Sequence, residues 1–185
     1  MYNKQVLFID RNDNTIKKIF DDDTVVTMFT TGEWVPKGIS DSSSSGLFVL
    51  LSKDNQSKIV RYSSTGTVLQ KMYQKAWCIA ENVNVDIIVI DHQKKVVVAV
   101  DRQGIFRYSY SGNENSLKPV GMATDSIVHV FVTDINGYKI RMLDSDGHFL
   151  RNLIPEKGIE CHRAVCMISD SKMIVGECRT GLAKN

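Results

Sequence analysis

The sequence predicts an all-β chain made of a repeated four-stranded antiparallel unit, and three observations predict it. Short β-branched and aromatic runs are bounded by Gly, Asp, Asn and Ser clusters, the signature of strands joined by tight turns. Nothing in the clearest unit, Pro119 to Leu153, has helical period. Several separate features recur in one register at a spacing of about 40 residues.

Within that unit Gly121 to Thr124 reads as a first strand, a, and Val128 to Thr133 as a second, b. Asp134 to Tyr138 is an Asp/Asn/Gly turn, Lys139 to Leu143 is strand c, and His148 to Leu153 is strand d. The c–d turn Asp144-Ser145-Asp146-Gly147 recurs as Asp101-Arg102-Gln103-Gly104, as Ser63-Ser64-Thr65-Gly66 and, degenerately, as Phe20-Asp21-Asp22-Asp23. Gly at the last position tolerates positive φ, and Asp or Ser at the first bonds the turn backbone. A polar residue closes each strand b: Asp10, Ser52, Asp91, Asp134 and Glu177. A small residue marks each strand a: Gly38, Cys78, Gly121 and Cys166. Two residues earlier stand Pro36, Ala76, Pro119 and Ala164. The second strands are nearly continuously apolar, as expected of strands buried on both faces between neighbouring sheets.

A four-stranded unit of about 40 residues repeated in series is a β-propeller blade. A partial first blade is expected over residues 2–30, with strands b, c and d only. Full blades follow at 36–72, 77–110 and 119–154, and an incomplete last blade at 163–185. A six-bladed ring needs roughly 250 residues, so the 185 residues predict a partial propeller of about four to five blades, a fragment or a shortened gene product. The whole span 1–185 is read as one propeller domain.

The hydrophobic fraction of 43% and net charge of +2 describe a chain that folds and that names no partner by charge alone. No apolar run approaches the ~18 residues of a membrane helix, and no signal peptide is evident. The four cysteines are therefore expected as reduced thiols in the cytoplasm.

Lys118 to Asp125, Val130 to Leu153 and Ile87 to Tyr110 resemble NHL repeats. They look most like the C-terminal propellers of tripartite-motif (TRIM) proteins, and Met173 to Asn185 looks like the last blade of such proteins. The resemblance implies a partial NHL-type β-propeller acting as the substrate-receptor end of an E3 ubiquitin ligase, in ubiquitin-dependent protein turnover. It also implies an alternative, single-stranded RNA binding in post-transcriptional regulation. The zinc-ligand spacing of a RING or B-box is absent from the sequence, so any ligase chemistry is assigned to a longer parent, and no enzymatic activity to this chain.

In such a unit the d–a and b–c connections share one edge of the sheet, the top, and the a–b and c–d turns share the other. The top loops combine cations with aromatic residues, a pattern that serves protein hot spots or base stacking. Trp34, Lys53, Trp77, Lys94, Lys95, Tyr138, Lys139 and Arg179 are the candidate partner-binding residues. Carboxylates such as Asp13, Asp54, Glu114 and Glu156 make that edge mixed in charge. The bottom turns are rich in Asp, read as turn chemistry. The carboxylates that close strand b recur in blade after blade, which argues for a backbone role in the b–c turn and against catalysis. Cys166, in the repeat's small position, is expected as a buried thiol. His92, His129 and His148 are read as falling at three different places in the repeat, which is not how convergent metal ligands are arranged. No cofactor and no metal site are expected. The open sides of the first and last blades are expected to promote self-association.

Overall fold

The structure, a computed structural model, describes residues 6–42, 46–74, 76–113, 117–153, 162–177 and 183–184. The all-β expectation holds: the described chain forms five antiparallel sheets, three of four strands and two of three. It divides into two compact units, Met1–Ala76 and Trp77–Asn185.

The first unit holds two sheets. β1 (Val6–Asp10), β2 (Thr15–Ile19) and β3 (Val25–Thr30) form one meander. β4 (Val35–Ser42), β5 (Gly46–Lys53), β6 (Gln56–Tyr62) and β7 (Val68–Gln74) form the other. Their shared core gathers Ile16 and Phe29 against Leu47, Val49, Leu51, Val60 and Tyr62. The Phe29 and Tyr62 rings stack with centroids 4.8 Å apart.

The second unit holds three sheets. β8 (Cys78–Glu81), β9 (Ile87–Asp91), β10 (Val96–Val100) and β11 (Phe106–Tyr110) are followed by β12 (Pro119–Thr124), β13 (Val130–Asp134), β14 (Lys139–Leu143) and β15 (Phe149–Leu153). β16 (His162–Ser169), β17 (Lys172–Glu177) and β18 (Ala183–Lys184) complete it. Strand b of the middle sheet feeds two cores. Val130 and Val132 of β13 join the core shared with Ile88, Ile90, Val97 and Tyr108, while Phe131 joins the core shared with Val165 and Val175. Side chains alternate across a strand, so a strand walled on both faces is apolar throughout. β9 and β13 are buried along their whole length, as their unbroken apolar runs imply.

Turn chemistry sets the sheet edges. Gly66, Gly104 and Gly147 have φ of 84°, 87° and 81°, and Asp23 takes the equivalent place at 62°. In each c–d turn the last residue donates its N–H to the carbonyl of the first, as in Gly147 to Asp144 at 3.2 Å. Two of the three a–b turns of the second unit place a valine at positive φ. Val85 and Val128 sit at φ 66° and 83°, in the left-handed region that a β-branched residue tolerates poorly.

Two sequence expectations are corrected. Bulges shift the register of strand a, so the small residues are not equivalent. Cys78 pairs with Ile90, one residue before Asp91, whereas Cys166 pairs with Ile174, three before Glu177. Ala164, opposite Gly176, occupies the place of Cys78, and Cys166 is exposed instead of buried. Cys78 is half-buried, and burial pushes its thiol pKa up. The strand-closing carboxylates also differ in role. Asp10 and Asp91 accept turn N–H groups from Asn12 and Lys94, both at 3.0 Å. Asp134 does not bond its own turn among the described residues: it accepts the Lys118 N–H at 3.1 Å and pairs with Arg141 at 2.7 Å.

Candidate functional site

The expected site residues separate by unit. In the first, Trp34 is half-buried against the core, with Lys58 Nζ 3.6 Å from its ring centroid. The Lys58 pKa is lowered by burial first and by Lys71 and Lys53 after it. Lys53 is ion-paired with Glu33. Both residues are thus engaged within their own unit. Arg179, Glu114 and Glu156 lie outside the described residues.

In the second unit, Trp77, Lys94, Lys95, Tyr138 and Lys139 fall on one edge, where β9 turns into β10 and β13 into β14. Antiparallel pairing places the start of β8 beside the end of β9, and the Trp77 N–H donates to the Ile90 carbonyl at 2.8 Å. The Trp77 indole, 56% exposed, stacks on His92 with centroids 5.1 Å apart. His92 Nδ1 lies 3.2 Å from the Pro119 carbonyl, which only accepts, so this nitrogen carries the proton. Ile135 N–H in turn donates to the Lys118 carbonyl at 3.2 Å. A short 3-10 turn, Ile135–Gly137, leads to Tyr138 in the left-handed conformation, φ 49°, a residue 59% exposed. The Lys139 stem lies over Gly137, where a Cβ would meet its Cε at 2.5 Å. The Lys139 carbonyl accepts from His162 Nε2 at 3.0 Å. The edge is therefore one linked framework running from β8 to β16.

Among the described residues its electrostatics are cationic. Asp91, Asp134 and Glu177 are buried, and Asp134 is held by Arg141, whose Nη1 also donates to the Tyr110 hydroxyl at 3.0 Å. Among the described residues Lys94, Lys95, Lys118 and Lys139 have no ion-pair partner. The edge thus presents four ammonium groups around two exposed aromatic rings. Sequence reasoning left His92 and the top-loop Lys118 out of the candidate binding residues. The usable signal was the antiparallel register, which sets the residue before strand a against the residue after strand b.

The opposite edge carries the a–b and c–d turns. Asp125 accepts the N–H groups of Ile127 and His129, and its Oδ2 lies 2.8 Å from His129 Nδ1. Asp144 does the same for Asp146 and His148, with Oδ2 3.1 Å from His148 Nδ1. His129 closes an a–b turn and His148 a c–d turn, so they stand at different places in the repeat, although both use the same local Asp-x-x-x-His motif. The described residues contain no group of three or more His, Cys, Asp or Glu able to hold a metal ion. Cys161 and Cys178 lie outside them.

No family model and no curated protein sequence matches this chain. Solved structures do. Virginiamycin B lyase from Staphylococcus aureus superposes with a TM-score of 0.72 at 14% identity, covering 97% of this chain and 65% of that one. A chain of a nidogen–laminin complex gives 0.70 at 13% identity, covering 100% and 75%. The β-propeller domain of Cps50 (Swd1) from Myceliophteria thermophila gives 0.66 at 10% identity, covering 97% and 65%. The fold is thus of the β-propeller class, with five of its sheets described in this chain. The chain spans just under two thirds of the lyase chains it matches, 65–66%. Among the described residues no helix is long and apolar enough to cross a membrane.

Proposed function

We propose that this chain is a recognition module that binds a protein partner on the lysine-bearing edge of its second unit. The observation that carries the reading is the pairing of exposed Trp77 and Tyr138 with four lysines that have no ion-pair partner among the described residues, on a hydrogen-bonded framework. Aromatic anchors held in place at low entropic cost are the usual centres of binding energy. The NHL resemblance extends the proposal: the module serves as the substrate receptor of a TRIM-type E3 ubiquitin ligase in the cytoplasm, with catalysis residing in other domains. A photo-crosslinking residue in place of Tyr138, compared with one in place of Asp146 on the opposite edge, tests it. Specific protein adducts are expected at Tyr138 and are lost on Lys94→Glu/Lys139→Glu. Equal adducts at both positions, or none at Tyr138, would reject the assigned face.

Lysines without an ion-pair partner among the described residues, beside an exposed indole, also favour a second reading, single-stranded RNA. Phosphate neutralisation supplies most of the affinity in such complexes and is screened by salt. Random single-stranded RNA should then be retarded in low salt and released in moderate salt. Absence of retardation in low salt removes this reading.

A further inference from the structure

The turn edge opposite the lysines has a chemistry that the fold does not require. Four of the five outermost strands begin at or beside two exposed apolar residues: Val25-Val26, Val68-Leu69, Ile105-Phe106 and Phe149-Leu150. In the second unit Ile105 and Phe106 are 65% and 61% exposed, and Ile127 adds a third exposed apolar side chain from an a–b turn. Turn geometry explains none of these, since Asp and Gly make the turns and residues such as Tyr108 face the core. Acids stand between them. The Asp101 and Asp144 carboxylates hold turn N–H groups, and the exposed Asp146 side chain has no partner among the described residues. Arg107 faces Asp86 at 3.7 Å. The Tyr108 hydroxyl registers this field: burial first, then Asp86, Asp144 and Asp146, push its pKa up to about 12.

The complement of this acidic, apolar edge is present on the same chain. The other edge of the unit offers Lys94, Lys95, Lys118 and Lys139, without ion pairs among the described residues, and the exposed Trp77 and Tyr138. We propose that the acidic turn edge of the second unit docks head to tail onto the lysine-bearing edge of a second copy of this chain. Opposite potentials select the register of such a contact, and desolvated apolar groups supply its affinity. The contact is heterologous, so each added copy leaves one edge of each kind free, and growth continues as an open array unless a rotation closes it. A stacked copy has its lysine-bearing edge covered, so assembly and partner binding compete for one surface.

Sedimentation velocity of the full chain, over a concentration series in about 0.05 M and about 0.5 M salt, tests the proposal. Concentration-dependent association is expected, weaker by at least about tenfold in high salt. Lys94→Glu/Lys95→Glu and Asp146→Lys/Phe149→Lys are each expected to sediment as monomers, because each sets like charges face to face. Mixing the two variants is expected to restore association, since every contact between unlike chains then joins opposite charges. The proposal is overturned by a wild-type chain that is monomeric throughout the series, by association that survives both reversals, or by a mixture that stays monomeric. A monomer that binds a Lys-rich peptide on its acidic edge would likewise exclude a second copy as the occupant. The partner reading is separable: Asp146→Lys/Phe149→Lys should abolish stacking while leaving the Tyr138 crosslinks intact.

Discussion

Tyr108 concentrates the molecule's physics at the scale of one side chain. Its ring closes the core between the third and fourth sheets, yet its buried hydroxyl has no hydrogen-bond partner among the described residues. A buried polar group without a partner costs about 1–3 kcal/mol. Tyr108→Phe should therefore raise stability by about 1 kcal/mol, read as a shift in urea midpoint. The same residue sets an alkaline limit. Its folded pKa is raised to about 12 from the ordinary phenol value of 10.0, so the fold favours the neutral phenol. The associated stability is complete below the unfolded value and is lost as pH rises from there through the folded value. Wild-type stability should fall over that window more steeply than that of Tyr108→Phe. Equal alkaline slopes for the two chains would show that the phenol ionises without strain in the fold.

At the scale of the element, one lock joins neighbouring sheets in both units. An aromatic ring of the outermost strand lies on the c–d turn glycine of the next sheet: Phe29 on Gly66, and Tyr108 on Gly147. A Cβ at Gly147 would stand 2.2 Å from the Tyr108 ring, whereas one at Gly104 would meet nothing within 4 Å. Both glycines have positive φ, so alanine strains either backbone by about 1–2 kcal/mol. Gly147→Ala must also displace a packed ring, which adds about 1–3 kcal/mol. Thermal unfolding should rank Gly147→Ala well below Gly104→Ala, and an equal loss for both would deny the lock. The strands and turns were legible in the sequence because turn chemistry is local: Gly66, Gly104 and Gly147 had to stand where φ is positive. The register of strand a was not legible, because its bulges answer to packing between sheets, and the Cys78–Cys166 equivalence failed for that reason. The candidate edge was half legible. Trp77, Lys94, Lys95, Tyr138 and Lys139 follow from loop position, but the Trp77–His92 stack and the Asp134–Arg141–Tyr110 group join residues of different strands, and no local pattern announces them. Trp34 shows the converse, an aromatic in a plausible loop that is engaged with Lys58 and its own core.

Over the whole molecule, the two compact units each contain one tryptophan, Trp34 in the first and Trp77 in the second. Each unit thus carries its own fluorescent reporter. Phe131 fills the core between the fourth and fifth sheets, and Phe131→Ala should destabilise the second unit by about 3–5 kcal/mol. In single-tryptophan chains the Trp77 transition should move to lower urea while the Trp34 transition stays in place. Both moving together would mean that the units unfold as one. The middle sheet of the second unit has a consequence beyond stability. Because β13 hands its odd and even side chains to different neighbours, it is a party wall, and neither adjoining room survives its removal. Trimming of this chain, by protease or by gene shortening, is therefore tolerated only from the ends inward, one whole sheet at a time.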